Sequence, residues 1–112
     1  MATDMLNVKR ELVALDQKLL DMLVKRFELS SYIADAKYAL AENNKVIIKD
    51  PKRREQLVTY YSENALKKAK EKDLPNPEEF AKFVTRIAEE TLLFSWETQK
   101  KYLEEKYNLK CD

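Results

Sequence analysis

Apolar residues recur along the first third of the chain with the period of an α-helix. Between Val8 and Leu40 the steps from one apolar position to the next alternate between four and three residues, which is typical of the seam along which helices pack in coiled coils. One position of this seam is charged, Arg26. The seam positions are Val8, Leu12, Leu15, Leu19, Met22, Arg26, Leu29, Ile33, Ala36 and Leu40.

The seam predicts a first helix over about residues 5–42. We expect Thr3 or Asp4 to cap its start and Asn43–Asn44 to stop it. At about 1.5 Å per residue this helix is roughly 55 Å long, whereas a compact domain of this size has a radius of gyration of about 13 Å. Because one chain cannot cover the whole seam, we expect the remainder to pack on another copy in a two-fold homodimer.

Two further helices are predicted from their start signals. Asp50–Pro51 starts the second, since Asp caps a helix and Pro fits its first position, and it runs into the solvated lysine-rich stretch KKAKEKD. Asn76–Pro77 repeats the signal for a third helix that ends at about Tyr107. Residues 43–49 form the first loop, with a short apolar stretch at 46–48. The predicted inward faces are Arg53, Leu57, Tyr60 or Tyr61, and Asn64 in the second helix, and Phe80, Phe83, Val84, Ile87, Thr91, Ser95, Thr98 and Tyr102 in the third.

Composition supports a single all-α domain over residues 1–112. The chain has no Gly and only three Pro, so the positive-φ turns that sheets need have no cheap residue to form them. A hydrophobic share of 45% is enough for a core. Charged residues make up 37% of the chain but nearly cancel, to a net charge of +1, which argues against a nucleic-acid partner.

The absence of His and the presence of a single Cys exclude several common kinds of site. There is no His, which removes the commonest general base and metal ligand, so neither a metal nor another cofactor is expected. Cys111 has no second Cys to pair with, and no apolar run approaches the roughly 20 residues of a membrane span. Asp4 interrupts the position where a signal peptide would be apolar. We therefore expect a cytoplasmic protein with no membrane association.

Polar side chains occupy inward positions on all three predicted helices. Arg26 lies in the seam, and Lys37 follows 11 residues later, within about 20° of the same helix face. Arg53 lies on the second helix, and the hydroxyls of Thr91 and Ser95 are one turn apart on the third. A cluster of cations with few carboxylates to neutralise it favours a small polyanionic ligand.

Each of these residues also has a structural interpretation. Arg26 can fix the register of a coiled coil, and Lys37 can extend along the helix to solvent. The hydroxyls can bond to their own helix. If a ligand does bind, the absence of His, of a placed nucleophile and of a Gly-rich loop leaves a pericyclic reaction, which needs only a shaped, positively charged site.

The order of these features resembles the all-α chorismate mutases (chorismate mutase type II). The long first helix of that family carries a pattern close to ALDQKLLDMLVKRFEL, found here at residues 14–29 and followed by Lys37. Its second helix opens with Asp-x-x-Arg-Glu, which is similar to residues 50–54 here, and its third carries Ile-x-Glu-Asp/Glu-Ser, which is similar to residues 87–91. The resemblance covers most of the chain.

The resemblance implies an intertwined homodimer with two active sites, each completed by a basic residue of the other subunit. It also implies cofactor-free conversion of chorismate, a dicarboxylate, to prephenate in aromatic amino acid or related biosynthesis. Arg26 and Arg53 would bind the carboxylates, and Lys37 would donate to the ether oxygen. The residues implied in substrate binding are Lys9 from the other subunit, with Arg10 beside it as a substitute, and Asp50 and Thr91.

Three positions depart from the family pattern. Lys9 replaces an Arg, so a bidentate grip on a carboxylate is lost. Arg54 replaces a Glu, with Glu55 one position, about 100°, away. Ser95 stands where a Gln is expected, four residues after Thr91.

If the alignment of the third helix with the family pattern is shifted by four residues, Ser95 and Gln99 take the places of Thr91 and Ser95. We prefer the first alignment because the shift places Thr91 among the core positions.

The departures leave other functions open. A relative could act on isochorismate, as a pyruvate lyase, or on 4-amino-4-deoxychorismate. A protein of another class would be a non-catalytic helical interaction module, in which the seam docks a partner helix.

Overall fold

The chain folds into three helices in the computed structural model, namely α1 (Ala2–Ala39), α2 (Pro51–Glu71) and α3 (Pro77–Tyr107). The structure describes residues 2–43 and 45–109, and of the first two of these the backbone only. Within these ranges there is no strand, only an isolated bridge between Glu42 and Lys45 in the first loop. The predicted all-α fold with a very long first helix is confirmed.

The ends of α1 differ from the prediction. The helix begins at Ala2, so Thr3 and Asp4 lie inside its first turn and do not cap it, although the Asp4 carboxylate is still favourable near the positive end of the helix. It ends at Ala39, three residues earlier than expected. Asn43 then adopts a left-handed conformation with φ of 55°. Asn44 and Cys111 lie outside the described residues.

The start of α2 is confirmed. The Asp50 carboxylate accepts hydrogen bonds from the backbone N–H groups of Lys52, at 3.1 Å, and Arg53, at 3.2 Å, which satisfies two donors that the first helical turn leaves unpaired. At the other end, the lysines of the KKAKEKD stretch are exposed, as predicted.

Helix α3 begins and ends where the sequence predicted. Asn76 precedes it in a left-handed conformation, and its side chain makes no capping bond, so the position is confirmed but the side-chain cap is not. Pro77 at the first position explains the start.

Helix α3 packs against both other helices, whereas α1 and α2 do not contact each other within the described residues. The core lies around α3 and includes Val46 and Ile48 from the first loop, the short apolar stretch noted above. Ile48 is 1% exposed, while Ile47 between them points outward. The core residues are Ala34, Val46, Ile48, Leu57, Ala88, Leu92, Trp96 and Leu103.

The first half of α1 (residues 4–22) is exposed at every position. Along the whole helix every seam residue is exposed except Arg26, which is half-buried. The residues that α1 does bury are Ser30 and Ala34, on a different face. The molecule extends over 63 Å with a radius of gyration of 18.4 Å, compared with about 13 Å for a compact domain of 100 residues.

The predicted inward face of α3 is wrong by about one residue. Phe83 and Ile87 are 52% and 47% exposed, because the side of α3 that packs on the other helices is rotated by about one residue, to positions such as Ala88 and Leu92. Of the residues predicted, Ser95 is also in the buried set, which consists of Ala81, Ala88, Leu92, Ser95, Trp96, Gln99 and Leu103.

The predicted face of α2 is partly correct. Leu57 is buried, and Tyr61 and Asn64 are half-buried, so the choice between the two tyrosines falls on Tyr61. Arg53 is exposed and does not face the core. None of the described helices is long and apolar enough to cross a membrane.

Candidate functional site

The second half of α1 (residues 23–39) carries polar side chains on both sides of a narrow buried stripe. Ser30 and Ala34 form the stripe, with 1% and 0% exposure. At about 100° per residue, Lys37 lies on one flank of it and Asp35 on the other. Arg26 lies on the same flank as Lys37, since the 11 residues between them leave only about 20° of rotation.

Lys37 is the centre of the candidate site. Its Nζ donates hydrogen bonds to the Ile48 carbonyl at 2.6 Å and to Gln99 Oε1 at 2.7 Å. Burial lowers the pKa of Lys37, and the nearby charge of Asp50 opposes this shift. An ammonium group has three donors, so these two bonds leave one donor for a ligand.

Hydrogen bonds continue from Lys37 through the interface between α1 and α3. Gln99 Nε2 donates to Ser95 Oγ at 3.1 Å, Ser95 Oγ lies 2.7 Å from Ser30 Oγ, and Ser30 donates to the Arg26 carbonyl at 3.3 Å. Either serine could donate in this contact, but only donation by Ser95 gives both hydroxyl protons an acceptor, since Ser30 then donates to the Arg26 carbonyl. In the described part of the chain no buried side-chain polar atom lacks a partner.

A cavity of about 720 Å³ opens beside Lys37, within the range of small-molecule sites. Its charged residues are of both signs. Lys37, Glu42, Lys45, Lys49 and Asp50 line it together with Leu40, Ala41, Asn43, Ile47 and Pro51.

The structure brings some of the predicted site residues together. Lys37 and Asp50 line the same cavity. Arg26 is half-buried on the same flank of α1, but it does not line the cavity and lies about 16 Å from Lys37 along the helix. Arg53 is exposed in the first turn of α2, and its backbone N–H is bound by Asp50. Glu55 is exposed two residues further along.

Lys9 and Arg10 are remote from this cavity within one chain. Both are exposed in the first half of α1. Lys9 is 28 residues before Lys37, which corresponds to about 42 Å along a straight helix. A single chain therefore does not bring Lys9 or Arg10 to the cavity.

Arg54 is engaged elsewhere. Its Nη2 donates to Glu89 Oε2 at 2.6 Å, and the two side chains are 55% and 29% exposed. The guanidinium joins α2 to α3, so the extra positive charge at this position is neutralised by Glu89.

The contacts of α3 favour the alternative pair, Ser95 and Gln99, over the preferred alignment. Thr91 Oγ1 donates to the Ile87 carbonyl of its own helix at 2.7 Å, the structural interpretation considered above. Gln99, 3% exposed, lies beside Lys37, so Ser95 and Gln99 form the pair on the side of Lys37. In this arrangement Gln99 follows the inward hydroxyl of Ser95 by four residues.

Two members of the site were not predicted from the sequence. Ser30 follows Arg26 by four residues and precedes Lys37 by seven, a spacing that places all three on one side of a helix and that was available as a signal. The Ile48 carbonyl is a backbone group in a loop, and because every residue has such a group, the residue type does not predict its role.

The described residues contain no group of three or more His, Cys, Asp or Glu side chains that could hold a metal ion.

The chain is similar to a known protein family. The model of the family described as chorismate mutase type II matches residues 8–95, which is more than half of the chain. No curated protein and no solved structure matches it.

Proposed function

The chain belongs to the chorismate mutase type II family, and from this premise we propose that it converts chorismate to prephenate by a [3,3] rearrangement without a cofactor. The observation that carries the proposal is the contact of Lys37 Nζ with Gln99 Oε1 at 2.7 Å beside the 720 Å³ cavity. It places a cation with one remaining donor where a small ligand has room. A pericyclic reaction needs such a donor more than it needs a base or a nucleophile.

The charges around Lys37 suit a dicarboxylate that carries an ether oxygen. We assign the free Lys37 donor to the ether oxygen, where negative charge grows as the C–O bond breaks. Arg26 on the same flank of α1, and Arg53 at the start of α2, bind the two carboxylates. Asp50 positions the ring hydroxyl.

The working assembly is a homodimer in which a second copy covers the exposed seam. Many apolar side chains of the first half of α1, Leu12, Leu15 and Leu19 among them, are more than half exposed, an apolar surface larger than a soluble monomer usually leaves open. Because Lys9 cannot reach the cavity of its own chain, it acts in the site of the other copy, with Arg10 beside it.

The direct test is loss of chorismate absorbance with appearance of prephenate. Parallel incubations with isochorismate and 4-amino-4-deoxychorismate decide among substrates. Turnover of either of these, and not of chorismate, assigns the chain to a divergent reaction, and no turnover of any of the three at high enzyme concentration refutes catalysis.

Replacement of Lys37 tests the mechanism. Lys37→Ala should lower kcat by about 100- to 1000-fold, since a donor to developing charge is lost. Lys49→Ala is the matched control, because Lys49 lines the same cavity but is exposed, and it should retain turnover. An equal loss of turnover in both variants would refute the proposal that Lys37 donates to the ether oxygen.

Replacement of Arg26 separates an enzyme from an interaction module. If the seam only docks a helix, Arg26→Leu stabilises the protein and keeps its function, because a charged seam residue costs stability. We expect the same change to abolish substrate binding, measured by calorimetric titration with chorismate.

A further inference from the structure

The last turns of α3 lie beyond residue 95, where the family match ends, and they carry a second polar cluster. All three of its donors converge on the carboxylate of Asp35 in α1. Tyr102 donates to Asp35 Oδ2 at 2.9 Å, and Tyr107 and Lys106 donate to Oδ1 at 3.0 and 3.1 Å.

The cluster is tied together by further contacts. The rings of Tyr38 and Tyr107 stack at 3.8 Å with an angle of 11° between them. Lys106 Nζ also donates to the Tyr102 hydroxyl at 2.9 Å and lies 5.2 Å from the centres of the Tyr102 and Tyr107 rings. The hydrogen bond from Tyr102 is the main reason that the pKa of Asp35 is lowered, so the carboxylate stays ionised at neutral pH.

Asp35 and Lys37 hold α1 from opposite flanks. They are two residues, or about 200°, apart around the helix, with the buried Ala34 stripe between them. Lys37 is bound on one flank by Gln99 and the Ile48 carbonyl. Asp35 is bound on the other by the end of α3. Contacts on both flanks oppose rotation of α1 about its own axis.

A small roll would matter for catalysis. A group about 6 Å from the helix axis moves by about 1 Å when the helix rolls by about 10°. A displacement of about 1 Å can lower an enzymatic rate by up to about 100-fold.

We propose that Asp35, with Tyr102, Lys106 and Tyr107, is a positioning cluster that fixes the rotation of α1 and thereby aims Lys37 and Arg26 at the substrate. The inference rests on the proposed mutase function. It adds residues that touch no reacting atom and that lie partly outside the matched region of the family.

The test is the double variant Tyr102→Phe/Tyr107→Phe. It removes two donors to Asp35 while keeping both rings and the stacking on Tyr38. Tyr60→Phe is the matched control, since Tyr60 is exposed on α2. We expect kcat of the double variant to fall roughly 10- to 100-fold, and kcat of the control to stay unchanged.

A second readout needs no substrate. Competitive acetylation at a series of pH values, analysed by mass spectrometry, reports the titration of each lysine. When α1 is free to roll, Lys37 should become less buried and titrate at higher pH than in the wild type. The other charged groups that line the cavity, Glu42, Lys45, Lys49 and Asp50, are unchanged in the variant.

The outcomes separate the two proposals. If the wild type turns over no chorismate, the mutase proposal fails, and the acetylation profile still decides whether the cluster positions Lys37. An unchanged acetylation profile together with unchanged kcat in the double variant overturns the positioning role. If circular dichroism shows that the double variant is unfolded, Tyr107→Phe alone is measured. The same shift is expected there in smaller degree, and its absence overturns the positioning role equally.

Discussion

The two halves of α1 differ in how their apolar content is used. The first half (residues 4–22) has more large apolar side chains, yet all of its positions are exposed. The second half (residues 23–39) buries only Ser30 and Ala34 and holds the polar contacts of the site. The apolar side chains that mark a helix as interfacial therefore need not be those that its own chain covers.

The two halves of α1 are suited to different roles. Polar contacts in a buried interface fix one geometry, because an unpaired buried polar group is costly, whereas an apolar seam provides area with little directional preference. We interpret the second half as the part that orients catalytic groups and the first half as the part that holds two copies together.

The largest expected effect comes from a substitution in the first half of α1 that disrupts the proposed interface and leaves the second half unchanged. Leu15→Asp should dissociate the proposed dimer, because a buried leucine side chain contributes roughly 2 kcal/mol. The two copies together contribute about 4 kcal/mol, which corresponds to a dissociation constant about 1000-fold larger. Analytical ultracentrifugation measures the mass.

Gln17→Asp introduces the same charge about 200° around the helix and should leave the dimer intact. A Leu15→Asp protein with the mass and activity of the wild type would refute the role of the first half.

The second prediction concerns the second half of α1 and changes the pH in place of a residue. Because burial lowers the pKa of Lys37, turnover should decline at a pH below its ordinary value of 10.5, by about tenfold per pH unit once the amine is neutral. Sedimentation should show the dimer still present over this interval. The contribution of Lys37 to the free energy of unfolding should rise over the same interval, since the unfolded chain still binds the proton that the folded chain has released.

Lys37→Arg provides the control, since a guanidinium stays charged throughout this range. Whatever activity that variant retains should lack the alkaline decline. A decline at the same pH in both proteins would assign it to another group.

The smallest effect concerns the polar interface between α1 and α3. Ser30→Ala and Ser95→Ala should each lower the free energy of unfolding by about 1–2 kcal/mol, and their double-mutant cycle should show a coupling of about 1 kcal/mol. Ser31 is the matched control, since its hydroxyl donates only to the Glu28 carbonyl in the exposed neighbouring turn. Ser31→Ala should change stability by less than about 0.5 kcal/mol, and zero coupling between Ser30 and Ser95 would contradict their hydrogen bond.

The sequence predicted the elements of this fold better than their faces. Start signals such as Asp50–Pro51 are local and placed α2 correctly. Which side of α3 is buried depends on how the other helices pack against it, and this cannot be read from a local signal. Phe83 and Ile87 were therefore predicted to be buried because they are hydrophobic, although both are about half exposed.

The site was predictable where side chains on one helix carry it. The 11-residue spacing of Arg26 and Lys37 placed both on one flank of α1. The partner of Lys37 was not fixed in this way, because Thr91, Ser95 and Gln99 are all one turn apart on α3 and only the rotation of that helix decides among them.

The hydrogen bonds between α1 and α3 have a direction as well as a geometry. With Ser95 as the donor to Ser30, every hydrogen bond of the series points the same way. Lys37 donates to Gln99, Gln99 to Ser95, Ser95 to Ser30, and Ser30 to the Arg26 carbonyl. A glutamate at residue 99 would accept from both Lys37 and Ser95, so neither serine would be held in its present orientation by an amide donor. An amide at this position therefore fixes the direction of the hydrogen bonds across the interface, and it does so without adding a charged group.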